Sequence, residues 1–161
     1  KFELHNRGVD QPYKVVGTWL MDQWKKGYGA KVTQRVQPSP QFYASLRKKK
    51  DFDVSIDFNC QSVINPIADI TKFLTKAGNN YAGGGDAKAD AIYDKLLRSA
   101  DPKEQRALIR QYEKRVIDET MVAAITLWWY KINPHRSYVK GWKIAPSHYL
   151  NQHLDNVWLD K

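Results

Sequence analysis

The sequence predicts an α/β fold in which a mixed sheet is flanked by helices. Across residues 1–58, short segments of alternating apolar and polar residues are separated by helical patterns, in the order strand, helix, strand, helix, strand. Two amphipathic helical segments follow at 89–120, and the apolar run MVAAITLWWY comes directly after them. The chain has 161 residues, which is enough for a domain with its own core. We therefore expect a single α/β lobe spanning 1–161.

The first strand and the first helix are bounded by clear signals. KFELHN, at 1–6, has the length and the alternation of a strand. A helix is predicted to begin near Pro12, because proline suits the first helical turn, and to end at Gly27. AKVTQRVQP, at 30–38, alternates as a second strand. The apolar stripe of the helix is predicted to comprise Val16, Trp19, Leu20 and Trp24.

The second helix and the third strand complete the alternation. Ser39 is the predicted N-cap, Pro40 is the first helical residue, and Phe42 and Leu46 share one helical face. FDVSIDF, at 52–58, is the third strand, with alternate residues on one buried face.

The rest of the chain begins with helical segments. A short helix is predicted at 67–74, and Asp86 is the predicted cap of the helix at 89–100. Asp101 and Glu104 have the spacing of a capping box and open the next helix. The core face of that helix is predicted to comprise Leu108, Tyr112 and Val116, which are four residues apart.

Three strand-like segments follow those helices. The apolar run at 121–130 is too short to cross a bilayer, and we interpret it as a buried strand. Two further strand-like pieces lie at 137–144 and 156–159. We expect the chain, which begins with Lys1, to be a processed product or a piece of a longer protein.

Positive charge is concentrated in the first third of the chain. The net charge is +9, and residues 1–50 hold 11 basic and 3 acidic side chains. This could be a solvated face, which is the simpler interpretation, or a surface for nucleic acid or acidic lipid. The nucleic-acid alternative would use Trp19, Trp24 and Tyr28 for base stacking.

The sequence offers no convincing catalytic set. The four histidines are scattered, and none has the spacing of a helical zinc pair. The glycine-rich segments lack both a phosphate-loop lysine and a dinucleotide fingerprint, so no cofactor is predicted. Cys60, the one cysteine, is more simply a small buried residue than a nucleophile. An enzyme centred on Cys60 remains a minor alternative.

Small polar residues follow the third strand and suggest a binding site. In open α/β sheets, ligands bind beyond the carboxyl ends of the strands. The side chains expected there are Asn59, Cys60, Gln61 and Ser62. The aromatic residues Trp128, Trp129 and Tyr130 would supply a stacking wall, although alternation along a strand would send some of them into the core. An ordinary surface loop is an equal alternative for residues 59–62.

Five successive passages resemble those of one protein family. They are TWLMDQWKKGYGAKV, FYASLRKKKDFDVSIDF, ADAIYDKLLRSADPKEQRALIRQYEKRVIDE, VKGWKIAP and NVWLDK. In this order and spacing, the chain resembles the second lobe of the peptide-type (family 5) extracellular solute-binding proteins of bacterial ABC importers. The resemblance covers essentially the whole chain.

The resemblance implies a function and a location. The chain would be most of the C-terminal lobe of a periplasmic-binding-protein-like, two-lobed protein, located in the periplasm or tethered outside a membrane. That protein would hold a small solute between its lobes and deliver it to a membrane permease, without catalysis. Residues from about 145 to 161 would cross back toward the first lobe.

One substitution bears on the ligand that the resemblance implies. In peptide-binding members, the loop after this strand carries Gly-Trp and then an aspartate that binds the α-amino group of the peptide. Aligned on Pro66, the aspartate position is Ser62 and the Gly-Trp pair is Phe58-Asn59. A neutral hydroxyl cannot make the charge-assisted hydrogen bond that an ammonium group requires. We therefore expect a polar uncharged, hydroxylated or amide-bearing ligand at least as readily as a peptide.

Overall fold

The structure is a computed structural model that describes residues 1–8, 12–49, 51–58, 65–128, 132–144 and 154–160. The chain divides into two compact units, and each is described by itself. The first unit comprises Lys1–Asn59 with Gly78–Gly84, and the second comprises Cys60–Ala77 with Gly85–Lys161.

The first unit is built on a three-stranded parallel sheet. Its strands are β1 (Phe2–Asn6), β2 (Val32–Val36) and β3 (Val54–Ser55), in the spatial order β2-β1-β3. The central strand is enclosed on both sides, and Leu4, His5 and Asn6 are buried within it. Because all three strands run parallel, their carboxyl ends lie together at one edge of the sheet, which we call the carboxyl edge.

Two helical segments connect these strands. Helix α1 (Tyr13–Tyr28) ends at Gly29, whose φ of 62° is the left-handed conformation that favours glycine. Helix α2 (Ser39–Ala44) continues into a π-helical turn at Ser45–Lys49. Phe42 and Leu46 are both fully buried, as the predicted helical face requires.

Helix α1 approaches the sheet closely at Gly17. A Cβ atom at this position would lie 2.5 Å from the side-chain nitrogens of both Asn6 and Gln34. The predicted stripe is largely confirmed, but Trp19 is half exposed, because Tyr13 and Gly17 take the most buried positions of the helix.

The second unit is mainly helical. Its helices are α3 (Pro66–Asp69), which continues as a 3₁₀ turn at Ile70–Phe73, α4 (Ala87–Arg98) and α5 (Pro102–Glu113), which continues as a π-helical turn at Lys114–Glu119. A short antiparallel pair joins β4 (Val139–Lys140) to β5 (Trp158–Leu159). No described helix is long and apolar enough to cross a membrane.

The core of the second unit forms around α4 and α5. Ala89, Tyr112 and Val116 are buried together, with partly buried residues of the α3 region packed around them. The Tyr112 hydroxyl donates a hydrogen bond to the backbone carbonyl oxygen of Ile70 at 3.0 Å. Tyr93 likewise bonds the Ile67 carbonyl oxygen at 3.3 Å. The predicted core face of α5 is confirmed.

The predicted α/β class is confirmed, but the predicted strand at 121–130 is wrong over its described part. Residues 121–128 form no strand, and several of their apolar side chains are exposed. A strand is stable only when a neighbouring strand pairs with it, and no described strand pairs with this segment. The predicted third strand is also shorter than expected, since ladder pairing is confined to Val54–Ser55.

Candidate functional site

The ligand-binding residues predicted from the sequence fall mostly beyond the described residues. Asn59, Cys60, Gln61 and Ser62 lie between the described ranges 51–58 and 65–128, and Trp129 and Tyr130 lie between 65–128 and 132–144. Trp128 is described, and 85% of its surface is exposed. The other six members lie outside the described residues, so the set remains a prediction.

The described residues instead form a polar and aromatic cluster at the carboxyl edge of the parallel sheet. Arg7 follows β1 directly, and its guanidinium carbon lies 4.5 Å from the ring centre of Tyr13 and 4.7 Å from that of Phe58. The same guanidinium donates hydrogen bonds to the hydroxyls of Tyr43, at 2.6 Å, and Tyr13, at 3.3 Å. Arg7 thus joins the end of β1 to both helices and to the segment after β3.

Tyr43 links two charges of opposite sign. Its hydroxyl accepts the hydrogen bond from Arg7 and donates one to Oδ1 of Asp57 at 3.1 Å. Burial raises the pKa of Tyr43 well above its ordinary value, and the negative charge of Asp57 raises it further. The phenol therefore stays protonated at physiological pH and keeps its donor for Asp57.

Arg47 lies one helical turn beyond Tyr43 and presents its guanidinium to solvent. The guanidinium carbon lies 5.5 Å from the ring centre of Tyr43 and 5.7 Å from that of Tyr81. Its Nη2 donates a hydrogen bond to the Tyr81 hydroxyl at 3.3 Å. Among the described residues, no carboxylate forms an ion pair with it. The hydrogen bond from Arg47 to Tyr81 raises the pKa of Arg47, so the group is permanently cationic.

A buried polar group lies on β1, two residues before Arg7. His5 is fully buried on β1, and its Nε2 lies 2.7 Å from Oε1 of Gln37, which also accepts a hydrogen bond from Ser45. Because an amide oxygen only accepts, the neutral imidazole carries its proton on Nε2. Its Nδ1 has no hydrogen-bond partner among the described residues, and burial lowers the pKa of His5.

These residue types can bind a polar or anionic group. The cluster combines two guanidinium groups, three phenols and one carboxylate, which supply hydrogen bonds, stacking surfaces and positive charge. The described part of the chain holds no group of three or more side chains that could ligate a metal ion. These residues were not predicted as a site. Two signals in the sequence pointed to them: Arg7 directly follows the first strand, and Tyr43 and Arg47 are four residues apart on a helix. Asp57 lay within the predicted third strand, and only the shorter observed strand places it beyond the strand end.

Comparison with solved structures identifies the fold. The chain is similar to the oligopeptide ABC transporter substrate-binding domain from Bacillus anthracis, at 25% identity and a TM-score of 0.62, over 75% of this chain and 23% of that one. It is also similar to the pheromone receptor PrgZ, at 27% identity and a TM-score of 0.62, over 74% of this chain and 22% of that one. The chain has the fold of a peptide-type solute-binding protein lobe. The resemblance found in the sequence is confirmed.

A more distant solute-binding protein shares this fold. The murein tripeptide-binding protein MppA of Escherichia coli matches 74% of this chain and 23% of its own, at 17% identity and a TM-score of 0.67. The matched part of this chain covers less than a quarter of the length of each of these three proteins. No protein-family model matches the chain, and neither does any curated protein.

Proposed function

We propose that this lobe belongs to the substrate-binding component of an ABC importer. The complete protein would hold a small solute in a cleft between two lobes and deliver it to a permease in the inner membrane. It would work in the periplasm or tethered outside a membrane, without catalysis and without a cofactor. The observation that carries the proposal is the arginine and tyrosine cluster at the carboxyl edge of the sheet, which is where α/β proteins of open-sheet type bind ligands.

Arg47 is the residue of the cluster most available to a ligand. It is exposed, it is held against two tyrosine rings, and no described carboxylate neutralises it. A guanidinium held in one place loses little conformational entropy when it binds a planar oxyanion. We therefore propose that Arg47 and the Tyr81 hydroxyl contact a carboxylate or another oxyanion of the solute.

The residues that the sequence predicts to bind a ligand are a separate part of the proposal. We propose that Asn59, Cys60, Gln61 and Ser62 face a solute and that Trp128, Trp129 and Tyr130 provide aromatic surface for a ligand. Ser62 cannot form an ion pair with an ammonium group, whereas hydroxyls and amides form hydrogen bonds with sugar hydroxyls and amide groups. The proposed solute is thus small and polar, bears an oxyanion and has no requirement for a free α-amino group.

A solute panel with a matched pair of variants tests this proposal. Binding raises the melting temperature, so we expect oxyanion-bearing polar solutes to stabilise the complete protein. Arg47→Met should remove that stabilisation. The control, Arg106→Met, replaces an exposed arginine of α5 and should leave it unchanged. Equal stabilisation of wild type and Arg47→Met by the best solute would reject the role of Arg47.

The nucleic-acid alternative makes a different prediction. Trp24, one of its three stacking residues, packs against Phe2 with ring centres 5.4 Å apart, which leaves Trp19 and Tyr28 as the exposed aromatics of α1. Such a protein would bind a generic oligonucleotide with a steep dependence on salt. We expect no oligonucleotide binding at physiological salt, and strong salt-dependent binding would favour the alternative.

A further inference from the structure

We propose that Arg7 is a positioning residue, which acts through the Tyr43 hydroxyl to hold Arg47 in its anion-binding orientation. The inference rests on the proposed function only for what Arg47 binds. The positioning itself can be measured without any ligand.

Arg7 is placed to support its neighbours rather than to contact a solute. Its guanidinium lies against the rings of Tyr13 and Phe58, at 4.5 Å and 4.7 Å, with the ring of Tyr43 at 5.4 Å. Two of its hydrogen bonds go to tyrosine hydroxyls of helices α1 and α2. A guanidinium enclosed in this way fixes the aromatic side chains around it, because its planar donors restrict where each hydroxyl can lie.

The Tyr43 hydroxyl transmits this restriction. A tyrosine on a helix surface can change its χ1 rotamer in nanoseconds, but here the hydroxyl bonds Arg7 on one side and Asp57 on the other. Those partners belong to the ends of two different strands. The ring of Tyr43 is therefore fixed at both its helix attachment and its hydroxyl.

The fixed ring then supports Arg47. The guanidinium carbon of Arg47 lies 5.5 Å from the ring centre of Tyr43. The rings of Tyr43 and Tyr81 are also in contact, with their centres 5.9 Å apart. An exposed arginine normally samples many rotamers in solvent. Arg47 is exposed, so its contacts with the two tyrosine rings are what restrict its rotamers. If the Tyr43 ring moves, Arg47 loses one of its two stacking surfaces.

The ligand-free test measures the mobility of the Arg47 side chain in the 161-residue chain. The probe is the ¹⁵Nε–Hε group of Arg47, observed by NMR relaxation. In Tyr43→Phe, which keeps the ring and removes the hydroxyl, we expect the Arg47 order parameter to fall, while those of Arg106 and Arg110 stay unchanged. An unchanged Arg47 order parameter in a folded Tyr43→Phe chain would overturn the inference.

A double-variant comparison separates positioning from a general structural role. Arg7→Lys keeps the charge but loses the planar fork, and it should also lower the Arg47 order parameter. Since Arg7 acts through the Tyr43 hydroxyl, Arg7→Lys should add nothing in the Tyr43→Phe background. Additive effects in the double variant would show that Arg7 acts by another route and would reject the proposal.

A titration with inorganic phosphate links positioning to binding. We expect the wild-type Arg47 Hε resonance to shift on titration, and the apparent affinity to fall about three- to tenfold in Tyr43→Phe, as expected for the loss of one supporting interaction. If phosphate does not shift the wild-type Arg47 Hε resonance, the proposed anion binding by Arg47 is rejected. The ligand-free measurement of positioning is not affected by that result. Equal affinities in the two proteins would reject the coupling of Arg7 and Tyr43 to binding.

Discussion

The Nη1 atom of Arg7 lies 2.6 Å from the hydroxyl oxygen of Tyr43, and this short bond joins the end of β1 to helix α2. The two residues are 36 positions apart in the sequence. The same hydroxyl donates to Asp57 after β3, so one phenol connects three chain segments at the carboxyl edge of the sheet. A set of side chains that is already ordered loses less entropy when a ligand binds, which is the physical basis of the proposed site.

Gly17 and Gly27 provide a matched pair of substitutions in α1. Gly17→Ala should lower the free energy of unfolding by roughly 1–3 kcal/mol, because its Cβ would displace the side-chain nitrogens of Asn6 and Gln34, and Asn6 is fully buried and donates a hydrogen bond to the Tyr13 carbonyl oxygen. At Gly27 a Cβ meets no atom within 4 Å. Gly27→Ala should therefore raise the free energy of unfolding by about 0.5–1 kcal/mol through better helix propensity. Urea denaturation followed by circular dichroism measures both, and equal effects would contradict the close approach at Gly17.

His5 should make the stability of the first unit depend on pH. Burial lowers its pKa below the ordinary value of 6.5, Arg35 lowers it further, and the Gln37 hydrogen bond and the charges of Glu3 and Asp51 oppose the change. The folded state therefore binds a proton less readily than the unfolded state. The free energy of unfolding should be highest above pH 6.5 and should decrease as the pH falls from 6.5 toward the lower folded-state pKa.

A variant isolates this contribution. His5→Gln keeps a donor for Gln37 but cannot take up a proton, so it should have a shallower pH dependence between pH 7.5 and pH 5.5. Urea denaturation at the two pH values gives the comparison. If wild type and His5→Gln lose the same free energy of unfolding over this interval, His5 is not the group responsible.

Tyr112 tests the core of the second unit. Its hydroxyl donates to the Ile70 carbonyl oxygen, and burial raises the pKa of Tyr112, so the donor is kept at physiological pH. Tyr112→Phe should lower the free energy of unfolding by about 1 kcal/mol, because the carbonyl loses that donor while the ring packing is kept. Tyr28→Phe is the control, since Tyr28 is almost fully exposed and its change should have no measurable effect in the same urea titration.

The two aspartate caps differ in what else they bind. Asp101 accepts a hydrogen bond from the Lys103 backbone N–H at the start of α5, and Asp101→Ala should cost about 1 kcal/mol in the free energy of unfolding. Asp86 caps α4 by accepting a hydrogen bond from the Ala89 backbone N–H. It also accepts hydrogen bonds from Nε and Nη2 of Arg115, at 2.6 Å and 3.0 Å. Asp86→Ala should therefore cost more than Asp101→Ala, because Arg115 is left without this partner.

The Asp86 contribution also has a defined pH range. Hydrogen bonds from Arg115 lower the pKa of Asp86 from 3.8 to about 2. Its stabilisation should be complete above pH 3.8 and should disappear as the pH falls toward 2. Acid titration of wild type and of Asp86→Asn, monitored by circular dichroism, should show a shallower loss of helix for the variant in this interval. Superimposable acid transitions would contradict the assignment.

Local signals were enough to predict most helices. The spacing of Leu108, Tyr112 and Val116 identified a buried face, and Asp86 and Asp101 cap the helices as expected. These features depend on neighbours within one or two helical turns, which the sequence displays directly.

Features that depend on distant residues were not predicted. The apolar run at 121–130 has strand composition, but a strand also needs a partner, and composition does not supply one. The cluster of Arg7, Tyr43 and Asp57 forms because a parallel sheet brings the ends of β1 and β3 to one edge. Its members lie between residue 7 and residue 57, so the sequence shows each of them near an element end or on a helix but does not show that they meet.

We propose that this chain is part of a protein that captures a small solute. The most direct test is to purify the complete protein natively, denature it, and identify the released small molecules by mass spectrometry. We expect wild type to release a polar solute bearing a carboxylate or another oxyanion in stoichiometric amount, and Arg47→Met to release none. Recovery of oligonucleotide alone would contradict the solute-binding function, and a simple peptide retained by Arg47→Met would contradict the proposed ligand.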